Sequence, residues 1–460
     1  MFPDDVGAIG ERGPGQDERV IGTGAARRSF VPAWRDLDPR LLTRARGEGR
    51  IRGTTLQLLG AMLDNPAYAD PTLRRGLREA RHLHSAERRL VSELSYDFLR
   101  FHALAAEAFG PGPERFYTAW LDAQMPEVGS HDALSEAFSL QPPTAENPAT
   151  RSRWLTAAAS VPPERAIAIL GSVSAAFAAE LSRIESPLAL LAASNARAPL
   201  VLRANTLRTH RENLAIRLEK EGLPTIPSAL APDGLIAQKA ADLHTLQSFR
   251  DGWFEVQDEG SQLLGALLTP PAGAARPRFV DYCAGAGGKT LQIAAAWKNK
   301  AEILALDTRS RPLEALRERA QRAGVLGLYT DILDPALAPD PRRFTHWLGS
   351  ADAVLVDAPC SGSGTLRRHP ELRWRIDQDF LDNHCEIQRQ VLAHASGFVR
   401  PGGQLVYATC SVLHRENEDI VGAFLDTHNN FSATNLTLSM RPDRDRTDGF
   451  FAQVLHRRSC

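Results

Sequence analysis

Two short stretches carry residues suited to covalent chemistry: Asp357-Ala358-Pro359-Cys360-Ser361-Gly362 and Thr409-Cys410-Ser411. A single buried cysteine is usually an inert small hydrophobe. Two cysteines, each closing an apolar run beside a proline or hydroxyl residue, point instead to thiols used as nucleophiles. The other cysteines give no comparable signal: Cys283 could line a turn, Cys385 sits within an apparent helix, and Cys460 is terminal. A third stretch, Cys283-Ala284-Gly285-Ala286-Gly287-Gly288-Lys289-Thr290, is a glycine-rich turn. Such a turn lets the backbone approach a ligand closely, and the helix after it offers free amides to a carboxylate or phosphate. It is not a P-loop, because Cys283 stands where the first glycine is required. It is not a dinucleotide fingerprint either, because Thr290 replaces the last glycine. Asp307 closes the next apolar run, where an acid can bind the ribose hydroxyls of an adenosine, and Asp331 follows a further short strand, where it could approach the base.

These residues need a scaffold that brings them to one edge. From Phe279 the pattern runs strand, helix, strand, helix: FVDYCA (279–284), EILALD (302–307), ADAVLVD (351–357) and GQLVYATC (403–410) are short apolar runs. Amphipathic segments Leu313–Ala323, Phe380–Val399 and Glu416–His428 separate them, which predicts a parallel sheet wound with helices. Ligands sit at the carboxyl ends of such strands, where Asp307, Asp357 and Cys410 fall. Upstream, APLVLRANT (198–206) reads as a strand and Arg211–Glu221 as a helix ending near Gly222, so a small α+β module is expected. Earlier still, apolar residues recur at helical spacing (Leu56, Leu59, Met62, Leu63), and Ala166–Leu181 continues that pattern. Spacers Gln141–Asn147 and Val161–Pro163 interrupt it, as in a bundle of short helices.

The resulting expectation is a disordered tail over 1–30, a helical domain over 31–185, an α+β module over 186–275 and an α/β domain over 276–460. At 460 residues the chain is too long for one core. The Gly-rich, charged first 28 residues lack the apolar centre of a signal peptide, so a cytoplasmic protein is expected. No run is apolar enough to span a membrane, and the five scattered cysteines suggest neither a disulfide framework nor zinc. A net charge of −1 means that any nucleic-acid site must rest on local basic patches.

Paired thiols beside an adenosine-type site suit one reaction in particular. Carbon 5 of cytosine is a poor nucleophile, but a thiolate added to carbon 6 turns the ring into an enamine. An acid such as Asp357 could hydrogen-bond N3 or the exocyclic amine, and a base must then remove the carbon-5 proton before the thiol can leave. Methylation of oxygen or an exocyclic nitrogen needs no such covalent step, so the two cysteines argue for carbon methylation.

The same residues resemble the Sun-type family of RNA cytosine-5 methyltransferases. The matching segments are FVDYCAGAGGKT (279–290), LALD (304–307), VLVDAPCSGSGTLRRHPE (354–371), QLVYATCSVLHRENE (404–418) and DGFFAQVLHR (448–457). LRANT (202–206) and VQDEGSQL (256–263) look like that family's RNA-binding module. The resemblance implies a Rossmann-like S-adenosylmethionine methyltransferase domain behind a small α+β RNA-binding module. It implies that Cys283, Ala284, Gly285, Ala286, Gly287, Gly288 and Lys289 hold the methionine part of the cofactor, Asp307 its ribose and Asp331 its adenine end. Asp357 would assist both cofactor and base, Cys410 would attack, and Cys360 would help release the product. Ala286 and Glu371 stand where many members have proline and aspartate. The segments 83–91 and 96–100 are similar to the NusB-type antitermination-factor helical domain, although Asp97 stands where a glycine is expected. That all-α domain marks the family's bacterial branch acting on small-subunit ribosomal RNA.

A monomer acting on RNA is therefore expected, without any metal. Arg203, Arg367, Arg368 and His369 are the expected RNA contacts, with Arg208, Arg373, Arg375 and Trp374 nearby. The target base would have to be unpaired or flipped out. Competing readings are methylation of tRNA or DNA, the latter with the Pro359-Cys360 pair supplying the nucleophile, or a non-catalytic ribosome-assembly factor.

Overall fold

The computed structural model describes residues 39–47, 49–65, 68–122, 153, 156–157, 159–196, 198–268, 275–335 and 337–459. The expected 1–30 tail, the Gln141–Asn147 spacer and Cys460 lie outside them. The N-terminal region is helical, and its helices pack around the 25-residue helix Ser85–Phe109. Leu90, Leu94, Phe98, Phe101 and Ala105 recur at three- and four-residue spacing along it and are buried, which is one apolar stripe of a helix. A reciprocal cap fixes its start: the Glu87 carboxylate accepts the His84 amide at 2.9 Å. Glu87 also takes Arg44 at 2.6 Å and Arg50 at 2.8 Å, tying the helices Pro39–Arg46 and Arg50–Asp64 to the central one.

The helical pattern read across Ala166–Leu181 is not one helix. It breaks into Pro163–Gly171 and Ala175–Leu181, with Ser172 left-handed at φ 47°. Two serines pull the backbone out of register. Ser172 accepts the Ala103 amide at 3.1 Å, while Ser174 caps the second helix by accepting the Phe177 amide and donates to the Ile376 carbonyl. Helices continue to Ala193.

A small antiparallel sheet follows, of strands β1 (Val201–Ala204), β2 (Thr225–Pro227), β3 (Gly234–Ala237) and β4 (Phe254–Val256) in the order β2-β3-β1-β4. The helix Arg211–Lys220 lays Leu214 and Leu218 on Leu202, Leu235 and Phe254. The loop-like composition of β2 to β4 hid them in the sequence; only β1 has the branched, alternating pattern.

The large sheet holds β5 (Arg278–Asp281), β6 (Glu302–Asp307), β7 (Leu328–Ile332), β8 (Ala351–Asp357), β9 (Val399–Thr409), β10 (Phe431–Met440) and β11 (Phe450–Arg457) in the order β10-β11-β9-β8-β5-β6-β7. β5 to β9 are mutually parallel, and β11 runs antiparallel between β9 and β10. The chain winds outward from β5 through β6 to β7, then crosses to β8 on β5's other side. That reversal is a topological switch point, and it opens a crevice at the carboxyl ends of β5 and β8. This is the Rossmann-like α/β fold expected. Among the described residues no helix is long and apolar enough to cross a membrane.

Candidate active site

The structure brings the two cysteines together. Parallel β8 and β9 are neighbours, so the residues just past their ends, Cys360 and Cys410, meet with sulfurs 3.4 Å apart although 50 positions separate them in sequence. No disulfide joins them. Backbone bonds fix the approach, since the Ala358 amide donates to Ala408 O at 2.8 Å and the Gly364 amide to Cys410 O at 3.0 Å. The Cys360 thiol is pushed well above the usual thiol range, first by its hydrogen bond with Cys410, then by burial and by the charges of Cys410 and Glu416. Cys283 is pushed up as well, by burial and then by Asp281, Asp357 and Asp307. It stays a neutral thiol, which argues against a nucleophilic role.

Beside the thiols lies a cavity of about 410 Å³, within the usual range for a small-molecule site. Cys283, Asp307, Arg309 and Asp357 line one part of it. Leu333, Pro335, Pro359, Ile387 and Val391 form an apolar wall, with Gln390 and His394 from the helix Gln378–Ser396 beyond. Neither thiol lines the cavity, but Pro359, next to Cys360, does. Ile387, a residue of that wall, is 40% exposed. The sequence showed that helix only as an amphipathic spacer, so its role here was missed.

The glycine turn divides its duties. Gly285 (φ 54°) donates its amide to Asp307 Oδ2 at 2.9 Å. Gly287 (φ 81°) lies against Leu316 so tightly that an added Cβ would stand 2.0 Å from Leu316 Cδ1. Ala286 turns its carbonyl to Arg319 at 2.6 Å, so Gly285, Ala286 and Gly287 shape the turn. Cys283, Ala284, Gly288 and Lys289 border a second, polar cavity of about 60 Å³, together with Ser261, Asp281 and Asp357. Lys289 Nζ donates to Asp357 Oδ2 at 2.6 Å. Burial acts against the lysine's charge, but Asp357 outweighs it and the ammonium is held above its ordinary value.

Asp281, which the sequence reading missed, ends β5 as Asp307 ends β6 and Asp357 ends β8. A strand-end acid was the available signal. Its Oδ2 accepts from Thr290 at 2.6 Å, while its Oδ1 has no hydrogen-bond partner. Burial pushes its carboxyl up to about 6, Thr290 and Lys289 pulling the other way and Asp357 adding to the rise. Asp331 lies one residue before the end of β7. Its carboxylate is held by Arg343 and it lines neither cavity; Asp334, three residues on, lines the larger one. Asp331 is half-buried beside the exposed Ile332 that ends β7.

The basic residues read as RNA contacts are placed differently too. Arg203 is 2% exposed in the middle of the small sheet and donates to Gln257 at 2.5 Å. Arg367 is buried on Asp448 at 3.1 Å, and Arg368 bridges Asp448 at 2.5 Å and Asp258 at 2.9 Å. Arg373 is fully buried and donates to Gly171 O at 2.9 Å, and Trp374 meets Phe98 edge-on at 5.7 Å. Arg203, Arg367 and Arg373 therefore present no surface for phosphate, and Trp374 is used to dock the helical domain. The cluster is basic because it knits segments together, which composition cannot distinguish from a charged face. His369 is half-exposed beside Glu371, whose hydrogen bond raises the imidazole's pKa against the effect of burial.

With this geometry in view, the chain can be compared with known proteins. Residues 267–456 match the family model described as 16S rRNA methyltransferase RsmB/F, and residues 185–244 match the RsmF/B-like ferredoxin-like domain. Together they take in more than half of the chain. The protein named ribosomal RNA small subunit methyltransferase B of Vibrio cholerae is 33% identical over 273 residues, covering 58% of this chain and 60% of that protein. The Proteus mirabilis protein of the same name is 30% identical over 271 residues, covering 58% and 61%. The matched region thus spans about three fifths of these relatives. Among solved structures, that of PH0851 superposes with a TM-score of 0.65 at 24% identity, covering 88% of this chain and 98% of that one. A methyltransferase homolog from Pyrococcus horikoshii gives 0.56 at 24%, covering 65% and 99%. Both share the fold.

Proposed function

The chain belongs to the Sun/RsmB family of methyltransferases, and from that premise we propose that it methylates carbon 5 of cytosine in RNA, with small-subunit ribosomal RNA as substrate. Cys410 is the nucleophile in this reading and Cys360 aids release. The observation that carries it is the pair of sulfurs 3.4 Å apart at the ends of adjacent strands, beside a cavity that ends on Pro359. The names of the relatives support ribosomal RNA as the substrate.

The residues present fit S-adenosylmethionine. Asp307 at the end of β6 would take the ribose hydroxyls, the apolar wall of Leu333, Pro335, Ile387 and Val391 the adenine, and the turn at Cys283–Lys289 the methionine carboxylate. Asp281, with one buried oxygen unpartnered beside a polar cavity, is suited to the ammonium. When bound, the cofactor supplies an electrophilic methyl group.

The division of labour between the thiols in this reading is the one the family resemblance implies. The two sulfurs stand 3.4 Å apart, within reach of one another, and either can donate to the other. The Cys410 thiolate adds to carbon 6, and its electron pair becomes the new carbon–sulfur bond. The pair of the 5,6 double bond makes the ring an enamine, and carbon 5 would use that pair to take up the methyl group the bound cofactor supplies. Asp357, with Oδ2 on Lys289, offers Oδ1 to the cytosine amine. Cys360 stands 3.4 Å from the attacking sulfur, beside the adduct at the stage when a base must take the carbon-5 proton. As that proton leaves, the carbon–sulfur bond breaks and its pair returns to Cys410.

Covalent trapping tests the assignment. On RNA carrying 5-azacytidine the wild-type protein should form an adduct and Cys410→Ala should form none. Cys360→Ala should accumulate an adduct on ordinary RNA. The reverse pattern would exchange the two roles, and an adduct on DNA but not on RNA would overturn the substrate.

A further inference from the structure

Both cysteine loops converge on one carboxylate that touches neither cavity. Glu416 is 0% exposed and lies in the short 3₁₀ turn His414–Glu416 that follows β9. Its Oε1 accepts the Ser361 amide at 2.7 Å and Gln388 Nε2 at 3.0 Å. Its Oε2 accepts the hydroxyls of Ser361 and Ser411, each at 2.5 Å. Ser361 and Ser411 are the residues that directly follow Cys360 and Cys410. The glutamate therefore holds the first residue after each thiol, and four donors satisfy its two oxygens.

The surroundings lock this hub. The Gln388 amide that reaches Glu416 also donates to Pro359 O at 2.9 Å, the residue before Cys360. Tyr407 in β9 donates to the Glu416 carbonyl at 2.6 Å. Ser363 Oγ meets Ser411 Oγ at 2.8 Å and accepts the Val412 amide at 3.1 Å, a second tie between the loops. A buried carboxylate is costly unless fully hydrogen-bonded. Its position between two catalytic loops argues that it fixes their separation.

We propose that Glu416 is the positioning residue for the thiol pair, setting the Cys360–Cys410 distance through Ser361 and Ser411 and touching no substrate. Its functional consequence rests on the two-thiol reaction proposed above. The role needs acceptors in the right places more than it needs a charge. A glutamine at 416 can put its carbonyl on the Ser361 and Gln388 N–H groups and donate its amide to the two hydroxyls, which can rotate to accept. Alanine removes all four hydrogen bonds to the carboxylate, and aspartate falls short by one methylene.

The test uses the full-length protein, RNA carrying 5-azacytidine and S-adenosylmethionine. Glu416→Ala should slow adduct formation about a hundredfold at saturating RNA, the loss expected of a nucleophile displaced by about an ångström. Its affinity for S-adenosylmethionine should stay within about twofold, because the hub lies outside the cavities. Glu416→Gln should recover most of the rate. If glutamine is as slow as alanine, the glutamate acts through its charge and the proposal fails. The paired variant Ser361→Ala/Ser411→Ala, a smaller change, should reproduce the loss if Glu416→Ala does not fold; a full rate there would also overturn the proposal.

A second readout is independent of RNA. A trivalent arsenical, phenylarsine oxide, is bound tightly only by two thiols held close together, with loss of water. Wild type and Glu416→Gln should bind it through Cys360 and Cys410, Cys360→Ala should not, and Glu416→Ala should bind at least tenfold more weakly. If wild type binds the arsenical but forms no adduct with RNA, the functional reading fails while the positioning role stands. If Glu416→Ala binds it like wild type, the positioning role fails.

Discussion

Asp281 ends β5 with Oδ2 on Thr290 and Oδ1 without a hydrogen-bond partner, and burial pushes its carboxyl up to about 6. The native state holds this proton more tightly than the unfolded chain, whose carboxyl titrates near 3.8. Stability from this group is complete below about pH 4 and is lost as pH rises through about 6, at a cost on the order of 3 kcal/mol. Asp281→Asn should therefore make the cofactor-free protein more stable at pH 8 and remove that part of the pH dependence, as denaturant unfolding at pH 4.5 and 8 would report. The same variant should weaken S-adenosylmethionine binding in calorimetry. A variant less stable than wild type at pH 8 would mean that the carboxylate has a stabilising partner. The residue scale also shows why the acid was overlooked. In sequence it is one aspartate inside FVDYCA, and only its enclosure distinguishes it from a surface carboxylate.

At the scale of elements, the turn between β5 and the helix Gly288–Ala296 is specified glycine by glycine. Gly285 is left-handed with open space around an added Cβ, whereas Gly287 is left-handed and meets Leu316 from the helix Ser310–Ala323. Gly285→Ala should cost about 1 kcal/mol, the backbone penalty alone. Gly287→Ala should cost about 3 kcal/mol, because overpacking adds to that penalty. Equal losses in denaturant titrations would show that Leu316 yields freely. The turn itself was legible from its composition. Which glycine bears a packing constraint was not, since Leu316 is distant in sequence and reaches the turn only because β5 and β6 pair.

For the whole molecule, the helical domain is part of the support for the chemistry. Val173, Phe177, Leu181, Leu190 and Leu191 share one core with Leu366, Ile376, Leu381 and Leu413, residues that follow each cysteine. Trp374 extends this contact to Phe98 and His102 at 5.7 and 5.1 Å. Glu255 of β4 pairs with Arg319 at 2.9 Å and Arg322 at 2.6 Å, fastening the small sheet to the same unit. Trp374→Ala should cost about 2–3 kcal/mol and split the thermal unfolding seen by calorimetry into separate helical and α/β transitions. A single transition at an unchanged temperature would show that the domains do not depend on this contact.

The sequence by itself determined the strands that end in Asp307 and Asp357 and the one that leads into Cys410, the glycine turn and the winding of helices around a parallel sheet. These are local properties: apolar runs of strand length, turn residues and amphipathic spacing act over a few neighbours. Tertiary structure decided the rest. It set Cys360 and Cys410 at 3.4 Å, joined their loops through Glu416, paired Asp331 with Arg343 and buried Arg203, Arg367 and Arg373. Each depends on partners distant in the chain: Gln257 for Arg203, Asp448 for Arg367, Gly171 for Arg373 and the paired strands for the thiols. A residue type states which bonds a side chain can make, and only the packed fold supplies the partner.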